Sequence, residues 1–164
     1  MAYVFELPNA NDNPYDGLTA SDNPANAYDG NDSTFATFFN TTSGEEDATR
    51  YRSPVHTTSS ADLVLIGVRI RYRFTLSFNL GASGQCYIKL QRPVDTDFYT
   101  LVLNTSDQSD TTRHIFLPPE KRQPFATTYL VFGLSLCSTG TNSGRLYEAN
   151  FIWAPRGETV VVEG

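Results

Sequence analysis

The sequence predicts an all-β chain folded as an antiparallel two-sheet jelly-roll sandwich of about eight strands. Three observations predict it. Apolar residues alternate with period two across Asp62–Phe78, where Val64, Ile66, Val68, Ile70, Tyr72, Phe74, Leu76 and Phe78 share one parity. Clusters of Asn, Asp, Gly, Pro, Ser and Thr punctuate the chain at intervals of roughly ten to twenty residues, the spacing of a many-stranded domain. No stretch carries the apolar stripe of an amphipathic helix.

The elements follow in chain order. Tyr3–Leu7 alternates apolar and polar residues and makes a first strand. Pro8–Pro24 is loop, with turns at Asn13-Pro14 and Asp16-Gly17. Phe35–Phe39 is an aromatic strand. Thr41–Ala48, with Glu45, Glu46 and Asp47, is a solvated excursion, and Thr49–Val55 is a strand that stops at Pro54. Asp62–Phe78 would span on the order of 50 Å as one strand, so a bend or bulge is expected within it. Gly84–Gln91 turns Cys86, Ile88 and Leu90 inward. Phe98–Leu103, Arg113–Leu117, Thr127–Cys137 and Arg145–Trp153 complete the sandwich, and Val160-Val161-Val162 can add to a sheet edge.

Composition bounds what such a chain does. With 164 residues, 40% apolar and 13% aromatic, it has enough material for one cored domain. Residues 1–155 form that domain, 1–24 its N-terminal strand and loop arm, and 156–164 a C-terminal tail. The net charge of −6 argues against nucleic acid and against anionic membranes as partners. Met1–Ala10 has no basic region followed by a long apolar run, so no secretory signal is read there. Cys86 and Cys137 are too far apart for a disulfide framework and are expected as free thiols, Cys86 in the core and Cys137 facing away from it.

Ala25–Thr37 is the most chemically loaded stretch. Gly30 supplies the positive φ that an Asp-Gly turn needs. Asp29, Asn31, Asp32, Ser33 and Thr34 offer side-chain oxygens, the ligand type of calcium. Two readings are open: a loop capping its own backbone, or one half of a cation site.

Ala25-Asn26-Ala27-Tyr28-Asp29-Gly30-Asn31-Asp32-Ser33-Thr34-Phe35 resembles the early signature of galactose-binding-like, discoidin-type β-sandwiches, which include coagulation-factor type C domains and many carbohydrate-binding modules. Arg145-Leu146-Tyr147-Glu148-Ala149-Asn150-Phe151 is similar to that family's last strand, and Asp62–Tyr72 to its strand leading into the core. The resemblance implies a structural calcium held by Asp29, Asp32 and Thr34, a carbonyl of Asn26, and Glu148. Such an ion would close a long loop and neutralise carboxylates. For Glu148 an arginine partner is the other reading. For sugar binding the family's loops point to Tyr15, Tyr28 and Phe39. Trp153, at the end of a strand, is expected in the core or at an edge.

No nucleophile elbow, phosphate loop, dinucleotide fingerprint or metal-ligand spacing occurs, and His56 and His114 stand alone, so a non-enzymatic protein is expected. Arg69, Arg71 and Arg73 form a basic ridge on one strand face. Either neighbouring strands pair them with acids, or they dock an acidic partner. The expectation is a phage virion protein assembled in the host cytoplasm. The leading form is a capsid decoration (cement) protein, a homo-oligomer such as a trimer, binding the major capsid protein or other virion proteins. Its binding parts would be its terminal segments and a sheet edge. The alternative is a carbohydrate-binding module or a receptor-binding tail or baseplate component.

Overall fold

Val4–Glu6 (β1), Ala10–Asp12 (β2), Ala36–Asn40 (β3), Glu46–Arg52 (β4), Leu63–Leu76 (β5), Gln85–Arg92 (β6), Thr96–Leu103 (β7), Thr111–Phe116 (β8), Gln123–Pro124 (β9), Tyr129–Ser135 (β10) and Asn142–Pro155 (β11) build two antiparallel sheets. A computed structural model describes residues 3–12, 23–40, 46–54, 63–76, 85–92, 96–103, 109–124, 127–135 and 142–155. One sheet runs β1-β11-β5-β8, with β3 also on β11 and β9 on β5; the other runs β2-β4-β10-β6-β7. The two-sheet sandwich is the one the alternation predicts. Among the strands beyond the expected number are β2 and β9, too short for any period to show.

The core lies between the sheets. Val68, Ile70, Tyr72 and Phe74 of β5 face Ile88 and Leu90 of β6 and Leu130, Phe132 and Leu134 of β10, all fully buried. Trp153 and Cys86 lie in the same cluster, as the sequence predicts. Cys137 is outside the described residues. Phe38 and Tyr72 both pack against Phe132, at 4.9 and 6.3 Å between ring centroids.

The expected irregularity is present twice. β11 carries an extra residue, Tyr147, opposite β5 between the pairs Leu146–Tyr72 and Glu148–Arg71. β5 carries an extra residue, Ile66, between Gly67–Ile152 and Leu65–Trp153. A bulge shifts strand parity by one. Leu65 therefore enters the main core, whereas Ile66 turns to the outer face and packs with Ile152 and Ala154, with Tyr3 and Phe116 beside them. The single parity expected from Val64 holds after this bulge, over Val68, Ile70, Tyr72 and Phe74; Phe78 and the side chain of Leu76 lie outside the described residues.

One expected loop is partly strand. Glu46, Asp47 and Ala48 open β4 rather than a solvated excursion, and Asp47 is only 2% exposed. Its place opposite Leu134 turns it inward.

Candidate functional site

Within residues 23–35, the segment Pro24–Tyr28 packs against β11, β3 and β2. Pro24 starts a 3-10 turn over Pro24–Tyr28, suited by its fixed φ to a first helical position. Asn23 ahead of it takes the left-handed conformation (φ 51°) that asparagine tolerates. Ala27 points into the core, and the Asn26 side-chain amide donates to the Phe35 carbonyl at 3.2 Å. Tyr28, half-buried, packs edge-on against Tyr51 at 6.0 Å and donates its hydroxyl to Asn11 Oδ1 at 2.7 Å. The turn thus ties the first sheet to β2 of the second.

The Asp-Gly turn forms with Gly30 at φ 76°. Asp29 Oδ1 accepts the Asn31 N–H at 2.8 Å, and Asn31 Oδ1 accepts the Ser33 N–H at 3.0 Å. The Thr34 hydroxyl lies 2.6 Å from Asp29 Oδ2 and 2.8 Å from the Asn31 carbonyl. It has one proton, and the charged oxygen is the stronger acceptor. The hydrogen bond from Thr34, and then that from the Asn31 backbone, hold the Asp29 carboxyl below its ordinary range.

Glu148 is engaged elsewhere. Its Oε1 accepts from Arg69 Nη1 at 2.9 Å and from the Asn150 side-chain amide. Asp32 lies 3.7 Å from Arg71 Nη1. Among the described residues no three acidic, histidine or cysteine side chains gather as a metal ion requires. In this arrangement the oxygens expected as calcium ligands engage one another and arginines: Asp29 holds Thr34, Asp32 lies by Arg71, and Glu148 pairs with Arg69.

The arginine ridge lies on the outer face of the first sheet. Arg71 reaches Asp110 at 3.4 Å on one side and Asp32 on the other, and stands 5.0 Å above the Tyr147 ring. Phe35 meets Tyr147 edge-on at 5.5 Å, and Arg145 stands 4.4 Å above Phe35. Cation and ring therefore alternate from Arg145 to Arg71. Arg73 is half-buried opposite Arg145. Two of the three ridge arginines are thus matched by acids across the sheet or loop. Tyr15 lies outside the described residues, as does the side chain of Phe39.

A second constellation escapes sequence reading. On the outer face of the second sheet, register aligns Asp12, Arg50, Val131, Lys89 and Thr100 in one row, and Ala10, Arg52, Tyr129, Gln91 and Asp97 in the next. Arg50 donates from Nε to Asp12 Oδ1 at 2.7 Å and from Nη2 to Oδ2 at 2.6 Å, and lies 4.6 Å above the Tyr129 ring. Beside them is an open recess of about 100 Å³ lined by Ala10, Asn11, Asp12, Arg50, Arg52 and Tyr129. Farther along the face, Tyr87 lies across Gly133, where an added Cβ would stand 2.6 Å from its Oη. Lys89 covers Tyr87 at 5.1 Å and approaches Asp97 at 3.5 Å. The one local signal was Arg50-Tyr51-Arg52, two arginines of equal parity flanking a core tyrosine. Nothing local places Asp12 beside them.

No protein-family model matches the sequence, and no curated protein matches it. Solved structures do. A truncated AlyQ chain with CBM32 and alginate lyase domains aligns over 96% of this chain and 34% of its own length, at 16% identity and a TM-score of 0.50. The chain thus spans about a third of that protein. The CBM32 of AlyQ, in complex with 4,5-unsaturated mannuronic acid, aligns over 90% of this chain and 97% of its own, at 15% identity and a TM-score of 0.47. The lectin domain of Lectinolysin, complexed with Lewis B antigen, aligns over 92% and 90%, at 11% identity and a TM-score of 0.42. The fold is a galactose-binding-like, discoidin-type β-sandwich.

Proposed function

We propose that the chain is a non-catalytic carbohydrate-binding module. The observation that carries this is the recess at Asp12, Arg50, Arg52 and Tyr129. It sets a carboxylate, two guanidinium groups and an aromatic side chain around one open space on paired strands. Sugars present adjacent hydroxyls that take paired bonds from such groups, and C–H surfaces that pack on aromatic rings. The Asp12–Arg50 pair and the Arg50–Tyr129 stack hold the groups in place before a ligand arrives, which reduces the ordering cost of binding. The fold supports the reading, because the truncated AlyQ chain that shares it carries a CBM32. A glycan array followed by calorimetry tests it. Binding is expected, with Asp12→Ala and Tyr129→Ala each weakening it about tenfold. A folded protein that binds no glycan sinks the reading.

One observation favours a second reading, the virion decoration protein. Val4 and Phe5 are 36% and 45% exposed on β1, a three-residue strand at a sheet edge. Exposed apolar side chains beside unpaired backbone groups are a docking edge for another protein. Co-sedimentation with capsids that Phe5→Asp abolishes would favour decoration over sugar binding.

A further inference from the structure

We infer that the recess on the second sheet selects a sugar bearing a carboxylate, a uronate, and that Arg52 receives that carboxylate. This rests on the carbohydrate reading above and adds the ligand's charge and the residue that reads it. The recess sets two guanidinium groups against one carboxylate. Arg50 is matched by Asp12 through both oxygens. Arg52 is exposed and, among the described residues, has no carboxylate partner. Its neighbours in register are Ala10, too small to cover it, and Tyr129, whose ring is held by Arg50. An exposed guanidinium with no acid partner among the described residues is unusual on a chain of net charge −6, and its planar fork matches a carboxylate in two parallel bonds.

The other groups complete a sugar site. Asp12 is half exposed, and its oxygens keep lone pairs free beyond the bonds from Arg50, so it can accept from ring hydroxyls. A carboxylate on Arg52 and a hydroxyl on Asp12 would orient one ring across Tyr129. At about 100 Å³ the recess is far below the several hundred Å³ of a pocket that engulfs its ligand. That size suits one unit of a chain lying along the sheet.

The test is calorimetry of the full chain with an oligouronate and with the same oligosaccharide after reduction of its carboxylates to alcohols. The oligouronate is expected to bind at least about tenfold more tightly, with affinity falling as salt rises. Arg52→Gln should remove that preference, so that the oligouronate and its reduced form bind alike, while Arg52→Lys should retain part of it. Because Arg52 is exposed, the variants should unfold at the wild-type temperature, which a thermal scan checks. Equal affinity for both oligosaccharides overturns this inference and leaves the carbohydrate reading standing. A preference for the uronate that Arg52→Gln does not change overturns the assignment to this recess. Binding of neither, by protein shown to be folded, overturns this inference, and a blank glycan array alongside it overturns the carbohydrate reading as well.

Discussion

Asp29 shows how far one side chain can be set by its own turn. It is fully exposed, yet Thr34 and the Asn31 N–H hold its carboxyl below the ordinary value of 3.8. A carboxyl whose pKa is lowered by folding adds stability above the unfolded value, and that contribution is lost as pH falls through the folded value. Stability should therefore drop as pH falls below 3.8, and Asp29→Asn should flatten that part of a plot of Tm against pH. Gly67 is set by a neighbour from another strand. An added Cβ would stand 2.3 Å from the Ile115 carbonyl oxygen, and backbone cannot swing aside as a side chain can. Gly67→Ala should cost about 1–3 kcal/mol in urea denaturation. Cys86 is buried with its thiol pushed up by loss of water. Alkylation at mildly alkaline pH, followed by peptide mapping, should leave Cys86 unmodified until the protein unfolds.

Among the elements, β5 and β11 carry the most consequence. The long alternation of β5 was legible because one face of it packs on a core, and period two is the direct record of that. The bulges were not legible, since an extra residue is defined only against a partner strand. The Tyr147 bulge puts Arg145 and Glu148 on the same outer face although their spacing alternates them. Glu148 thereby meets Arg69, and Tyr147 meets Arg71. A double-mutant cycle on Arg69 and Glu148 should give a coupling of about 0.5–1 kcal/mol, since both are partly solvated. Arg71 joins Asp32 of the early turn to the face of β11, the span for which the family resemblance implied a cation. Arg71→Ala should lower stability by about 1–2 kcal/mol, and a chelator should leave Tm unmoved. A Tm that falls with chelator and recovers with calcium would restore the cation.

At the scale of the molecule, the sandwich closes around Trp153, the chain's one tryptophan. Its emission should be blue-shifted in the native state and move to the red in one cooperative step with denaturant. Trp153→Ala should cost about 3–5 kcal/mol. The sequence by itself determined the class of fold, the main core strands, the Asp-Gly turn and the arginine ridge. Each is written in local period or local turn chemistry, which neighbouring residues carry among themselves. Only the tertiary structure decided which face Leu65 and Ile66 take, that Asp47 is buried, that Glu148 belongs to Arg69, and that Asp12, Arg50, Arg52 and Tyr129 meet. Those depend on the register between strands distant in the chain, and a shift of one residue would turn every side chain on a strand to the opposite face.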